Sequence, residues 1–176
     1  TERIIYDSKV AIEDSIFQDI FKNIDLNDFY LNIEINNSKV LYNGGGNIFN
    51  SNTEFSGEQS NINEGFTDEI KGKYTLKQSF SEYFFPEDDF IIQGESEILY
   101  NIIEDDNGFS KIEGLGDLEN LNLKSDFLGP NLDFNNGKLR FLIRPYDNSF
   151  SGFADIKTNN LNVEVNSIFN LTKLIE

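Results

Sequence analysis

The feature of the sequence that most constrains the fold is a strict alternation of apolar and polar residues in many short stretches. Between Asp28 and Asn36 the odd positions are apolar: Phe29, Leu31, Ile33 and Ile35. The same period of two recurs over Ile70 to Leu76 and over Phe90 to Ile102. Because successive side chains of a strand point to opposite faces, the pattern predicts strands with one apolar and one solvated face. Roughly nine or ten such strands, joined by short polar turns, favour antiparallel connection.

The expected fold class is therefore all-β, with a curved or twisted, mainly antiparallel sheet and one or two short helices. Two architectures satisfy the alternation. One is a half-pipe or groove with an open apolar side, and the other is a β-sandwich whose apolar faces pack about 10 Å apart. A chain of 176 residues fits one β-rich domain, residues 1–176. Because the sequence begins without methionine, we expect it to be a fragment of a longer chain.

Three stretches depart from the alternation. Apolar residues at helical spacing predict a helix over Ile12 to Ile24. We also expect a helical turn over Ser79 to Phe85. A short closing helix is expected over Ser167 to Ile175. The Gly44-Gly45-Gly46 triplet lacks the Lys-Ser/Thr of a phosphate-binding loop, and it predicts a hairpin turn or bulge instead.

Glycine recurs inside the predicted strands, two residues after an apolar residue, although it costs about 0.5 to 1 kcal/mol relative to alanine there. A residue two positions further along a strand lies on the same face, so these glycines belong to the apolar face. We expect them to let the sheet bend, to let a neighbouring ring cover the backbone, or to let a ligand chain approach it. The positions are Gly44, Gly57, Gly72, Gly94, Gly114 and Gly152.

Composition excludes several kinds of chemistry. The formal net charge of −17 disfavours binding to nucleic acid, whose phosphates it repels. Without histidine or cysteine the chain has no Ser-His-Asp triad, no thiol nucleophile and no common zinc site. Two acidic clusters at predicted turns, Glu87 to Asp89 and Glu104 to Asp106, leave a glycosidase open as a third alternative.

Three phrases of the sequence resemble the repeating segment of AsmA-like proteins of the bacterial envelope, of the TamB and YhdP type. They are the run from Phe150 to Leu174, the run from Gly114 to Pro130, and Tyr42-Asn-Gly-Gly-Gly. The resemblance implies a periplasmic segment of a protein anchored in the inner membrane. It further implies a long curved sheet whose apolar concave face carries phospholipid acyl chains between the two membranes. It brings no catalytic residues, and we accordingly expect a non-enzymatic protein without metal or cofactor.

On this interpretation an apolar groove binds the lipid. Its expected lining is Phe29, Leu31, Ile33, Ile92, Ile98, Leu139, Phe141, Leu161 and Val163. The alternative, of another class, is a β-sandwich surface or adhesion module that binds a protein or glycan through its loops.

Overall fold

A computed structural model describes residues 7–21, 24–36, 39–60, 67–84, 91–105, 108–125, 129–133, 136–147, 149–159 and 162–169. These residues form twelve strands and one helix. The strands are β1 Asp7–Phe21, β2 Ile24–Asn36, β3 Lys39–Ile48, β4 Ser51–Ser60, β5 Thr67–Lys77, β6 Ile91–Asp105, β7 Gly108–Asp117, β8 Leu121–Ser125, β9 Gly129–Asp133, β10 Lys138–Tyr146, β11 Ser149–Lys157 and β12 Asn162–Phe169. Helix α1 spans Gln78–Phe84.

The strands form one open sheet in the order β1-β2-β3-β4-β5-β6-β7-β10-β11-β12, and every neighbouring pair is antiparallel. The strand order follows the chain except where β8 and β9 leave it. Among the described strands β1 and β12 end this order, β9 ends the branch, and all twelve strands belong to one sheet. The all-β, antiparallel expectation is therefore confirmed. Of the two architectures that the sequence left open, the structure has the single open sheet and not the sandwich.

Strand β6 bends at Gly94 and takes part in two ladders. Its second part pairs with β5 and β7, whereas Ile91 to Gly94 pair with β8, which in turn pairs with β9. Gly94 has a φ of +89°, which an L side chain rarely adopts, and a Cβ at this position would collide with the carbonyl oxygen of Asn120. This glycine therefore makes the branch possible.

A small core forms where the branch and α1 cover one end of the sheet. Ile92, Ile98, Leu118 and Leu121 are each at least nine-tenths buried there. Phe80 of α1 packs against this cluster and makes edge-on ring contacts with Phe49 and Tyr74. The Ser81 hydroxyl accepts a hydrogen bond from the Ile92 backbone N–H, which ties the helix to β6. The helical turn expected near Ser79 is thus confirmed.

The helix expected over Ile12 to Ile24 is wrong, because β1 occupies Asp7–Phe21 and β2 begins at Ile24. The pairing of β1 with β2 shifts register at three points after Ile12, and Asp14 has a positive φ of 48°. Each irregularity changes which face the following residues point to. A bulged strand therefore spaces its apolar residues as a helix would.

Two further expectations fail. Gly44 to Gly46 lie inside β3, and the turn follows at Phe49 and Asn50, both with positive φ as a tight hairpin requires. The closing helix is wrong over residues 167–169, which belong to β12, and the rest of that stretch lies outside the described residues.

Candidate functional site

The ladder register sorts the strand residues into two faces, because residues paired across an antiparallel ladder point the same way. We call the side that carries Leu31, Phe55, Tyr100 and Phe141 the apolar face. These residues belong to one row of direct partners that crosses the sheet: Leu31, Gly44, Phe55, Gly72, Tyr100, Gly114, Phe141, Ala154 and Val165. The opposite side is the polar face.

A second row on the apolar face is the strongest candidate for a binding surface. It consists of Val10, Ile33, Tyr42, Gly57, Ile70, Ile102, Ile112, Ile143 and Gly152, paired in that order from β1 to β11. We call it the isoleucine row. Its interior residues are half-buried, and Val10 at the edge is 48% exposed. Because Ile102 lies four residues beyond Ile98 in β6, the row lies about 13 Å from the part of the sheet that α1 and β8 cover.

The structure places most of the expected groove residues on the apolar face, but not all of them in the open. Leu31, Ile33, Leu139, Phe141 and Val163 hold register positions there. Phe29 lies within a bulge of β2 and stacks on Phe55 at 6.5 Å between ring centroids.

Two of the expected residues, Ile92 and Ile98, are only 7% exposed, so they belong to the core under α1 and β8. Leu161 lies outside the described residues. The residues that the sequence prediction of the groove missed are Tyr42, Ile70, Ile102, Ile112 and Ile143. The strand alternation could have identified these residues, because it places them on the same face as the expected groove residues.

Rings cover glycines across neighbouring strands of the apolar face. The Tyr42 ring lies over Gly57, the Tyr100 ring over Gly72, and in both cases a Cβ on the glycine would approach the ring closer than 3.0 Å. Phe55 covers Gly44 in the same way, since a Cβ there would lie 2.6 Å from the end of the ring.

Gly114 lies under Phe141, and Gly152 pairs with Ile143 on the same face. Glycine beside an aromatic residue is a known way to pin the register of paired strands, because the ring packs on the bare backbone. Of the three roles expected for the glycines, ring cover thus applies to four of them and bending to Gly94.

The Tyr42 side chain of the isoleucine row is held by a hydrogen bond. Its hydroxyl donates to Oδ1 of Asp68 at 2.7 Å. Burial raises the pKa of the Tyr42 phenol well above its ordinary value of 10.0, and the hydrogen bond to Asp68 raises it further. The tyrosine therefore stays neutral, and its hydroxyl links β3 to β5 while its ring covers Gly57 of β4.

The polar face carries the ion pairs of the sheet. Lys9 pairs with Glu34 at 2.6 Å, and Lys73 lies between Glu54 and Glu97 at 3.1 and 3.8 Å. These side chains are well exposed, so solvent screening keeps each pair weak.

Asp155 differs from the other carboxylates of the polar face because it is only 2% exposed. It accepts from Arg140 at 2.6 Å and pairs with Lys157 at 3.2 Å. The hydrogen bond from Arg140 holds the pKa of Asp155 below its ordinary value, against the opposing effect of desolvation, and Lys157 adds to the lowering.

A cavity of about 620 Å³ opens on the polar face. Its floor includes Leu99 and Leu115, which pair across β6 and β7 and are 52% and 57% exposed. Lys71 and Arg140 stand at its rim. The cavity is separated from the isoleucine row by the thickness of the sheet, so the two surfaces can be tested independently.

No group of three His, Cys, Asp or Glu residues within the described ranges could hold a metal ion. Helix α1 is not long enough to cross a membrane, and it is the one helix in the described part of the chain. Of the acidic cluster Glu104 to Asp106, Glu104 lies among the last residues of β6. The other cluster, Glu87 to Asp89, lies outside the described residues.

A scan against protein-family models and searches of curated proteins and solved structures found no match.

Proposed function

We propose that the chain binds lipid acyl chains along the isoleucine row, without enzymatic chemistry, as a periplasmic segment of an AsmA-like protein. In this role it serves phospholipid transport between the inner and outer membranes and the integrity of the envelope. The parent chain is anchored in the inner membrane. The observation that carries the proposal is an apolar row that crosses the sheet on the side away from the ion pairs.

The dimensions of the row suit an acyl chain. Strands of a sheet lie about 4.8 Å apart, so a row from β1 to β11 is about 40 Å long. The hydrocarbon of one bilayer leaflet is about 15 Å thick, half of the bilayer core. The row is thus long enough for an extended acyl chain. The half-buried isoleucines offer aliphatic surface, which favours a lipid over a sugar or nucleotide.

The first test compares two substitutions in the same strand. Ile112 of β7 belongs to the isoleucine row, whereas Leu115 lies three residues on, on the polar face. Wild type, Ile112→Asn and Leu115→Asn would be purified gently, and bound lipid would be extracted and identified by mass spectrometry. We expect phospholipid or fatty acid with wild type and with Leu115→Asn, and at least a tenfold loss with Ile112→Asn. Far-UV circular dichroism checks that all three are folded.

The second test locates the acyl chain by fluorescence. Because the sequence has no tryptophan, a single introduced tryptophan is a unique reporter. Val10→Trp places it on the isoleucine row and Leu115→Trp in the polar-face cavity, at positions of similar exposure, 48% and 57%. With lipid brominated in the acyl chain, we expect quenching at position 10 and none at position 115.

Either of two results would refute the proposal. Empty extracts without uptake of added lipid would remove lipid binding altogether. Quenching confined to position 115 would place the lipid in the polar-face cavity instead of on the isoleucine row.

A further inference from the structure

The two edges of the sheet are protected very differently. An edge strand exposes a row of unpaired backbone N–H and C=O groups, and proteins protect such edges with bulges and charged side chains. Strand β1 has both devices, with three register irregularities and five charged residues: Asp7, Lys9, Glu13, Asp14 and Asp19.

Strand β12 has neither device. Its eight residues pair with β11 in continuous register, without a bulge, a proline or a glycine. Glu164 is its one charged residue. Val165 on the apolar face and Ile168 on the polar face are 51% and 63% exposed. Within the described part of the chain β12 pairs with β11 alone, so its outer backbone groups stand ready for another strand.

The strands next to the β12 edge differ in charge from the rest of the chain, and this difference lets a second copy approach the edge. Although the whole chain carries −17, the last three main strands hold more basic than acidic residues. They contain Lys138, Arg140, Arg144 and Lys157 against Asp155 and Glu164. Strands β1 and β2 contain seven acidic residues and one lysine: Asp7, Glu13, Asp14, Asp19, Asp25, Asp28, Glu34 and Lys9. Two copies that meet at β12 therefore repel each other less than two copies that meet at β1, and the bulges of β1 keep that strand from pairing.

We propose that two copies of this chain dimerise through antiparallel pairing of their β12 strands. A twofold axis perpendicular to the sheet at Val165 keeps the apolar faces of both copies on the same side. Val165 then faces its own equivalent, Val163 faces Ser167, and Glu164 faces Asn166. No like charges lie directly opposite each other, and Val165 becomes buried in a cross-strand pair. Among the described strands the bulged β1 of each copy then lies at the outer edge of the pair.

The test uses paired charge substitutions at the twofold axis. Analytical ultracentrifugation of the whole 176-residue chain would measure the mass of wild type, of Val165→Lys and of Val165→Glu, each alone and then mixed in equal amounts. We expect wild type at twice the monomer mass of 20.2 kDa. Each charged variant alone should be monomeric because like charges meet, and the mixture should regain the dimer because opposite charges meet.

The matched control is Val10→Lys, at the other edge of the sheet on the same face, where Val10 is 48% exposed. It should remain a dimer. A monomeric wild type at all concentrations, a dimeric Val165→Lys variant, or equal disruption by Val10→Lys would overturn the proposal. The dimer does not depend on lipid binding. Monomeric Val165→Lys keeps the isoleucine row, so a failure of one proposal leaves the other open to its own test.

Discussion

Replacing Gly57 with alanine tests the covering of glycine by a ring. The three atoms nearest to a Cβ at this position all belong to the Tyr42 side chain, closer than real Cβ contacts allow. The ring must therefore move away, and its hydrogen bond to Asp68 breaks. Overpacking costs about 1 to 3 kcal/mol, and a hydrogen bond to a charged group contributes about 1.5 to 3 kcal/mol. Alanine returns about 0.5 to 1 kcal/mol of backbone entropy. We expect Gly57→Ala to lower the free energy of unfolding by about 2 to 4 kcal/mol.

The sign of the effect should reverse when the ring is absent. In a Tyr42→Val background nothing opposes the new methyl group, so Gly57→Ala should raise the free energy of unfolding by about 0.5 to 1 kcal/mol. The coupling energy of this double-mutant cycle is then at least about 2.5 kcal/mol. Urea denaturation followed by far-UV circular dichroism measures all four proteins. Tyr42→Phe keeps the ring without the hydroxyl and separates the hydrogen bond from the packing.

One outcome would refute the reasoning. If Gly57→Ala had the same effect with and without the Tyr42 ring, within about 0.5 kcal/mol, the ring would not lie over the glycine. The presence of glycine at position 57, opposite Tyr42 in the β3–β4 ladder, would then need another explanation.

Three further predictions use other parts of the structure. Gly94→Ala places a methyl group against the Asn120 carbonyl oxygen at a φ of +89°, so it should cost more than about 3 kcal/mol in urea denaturation, and full stability would exclude the bend. The pKa of Asp155 is lowered in the folded state, so its contribution is present above its ordinary value of 3.8 and is lost as the pH falls. Between about pH 5 and about pH 2, the melting temperature of Asp155→Asn should therefore fall less than that of wild type. The pKa of Tyr42 is raised, so its contribution is lost as the pH rises above 10.0, and Tyr42→Phe should show a shallower alkaline decline of melting temperature. An unchanged acid or alkaline slope in either variant would contradict the corresponding assignment.

The alternation predicted the faces well because it depends only on local geometry. Leu31, Ile33, Leu139 and Phe141 fall on one side of the sheet as their positions in the strands require. The interruptions were harder to predict. In β1 the bulges after Ile12 imitate helical spacing, and only the partner strand reveals them.

The glycine triplet of β3 shows a second limit of sequence-based prediction. Gly44 and Gly45 can stay extended because side chains from other strands cover them: Phe55 of β4 on one face and Tyr30 of β2 on the other. A triplet of glycines in isolation favours a turn. Contacts between strands that are distant in sequence decide the outcome, and no local pattern contains them.

The glycines and the isoleucine row together give the apolar face its character. The rings that cover glycines of neighbouring strands lie on bare backbone of the apolar face. On the same face Tyr42 and Gly57 belong to a row that continues into Ile70 and Ile102. In a sandwich such a surface would pack against a second sheet, and the described strands supply none. An apolar surface left open in this way either binds a mobile apolar ligand or drives association. The brominated-lipid experiment with tryptophan at position 10 tests the first of these two outcomes.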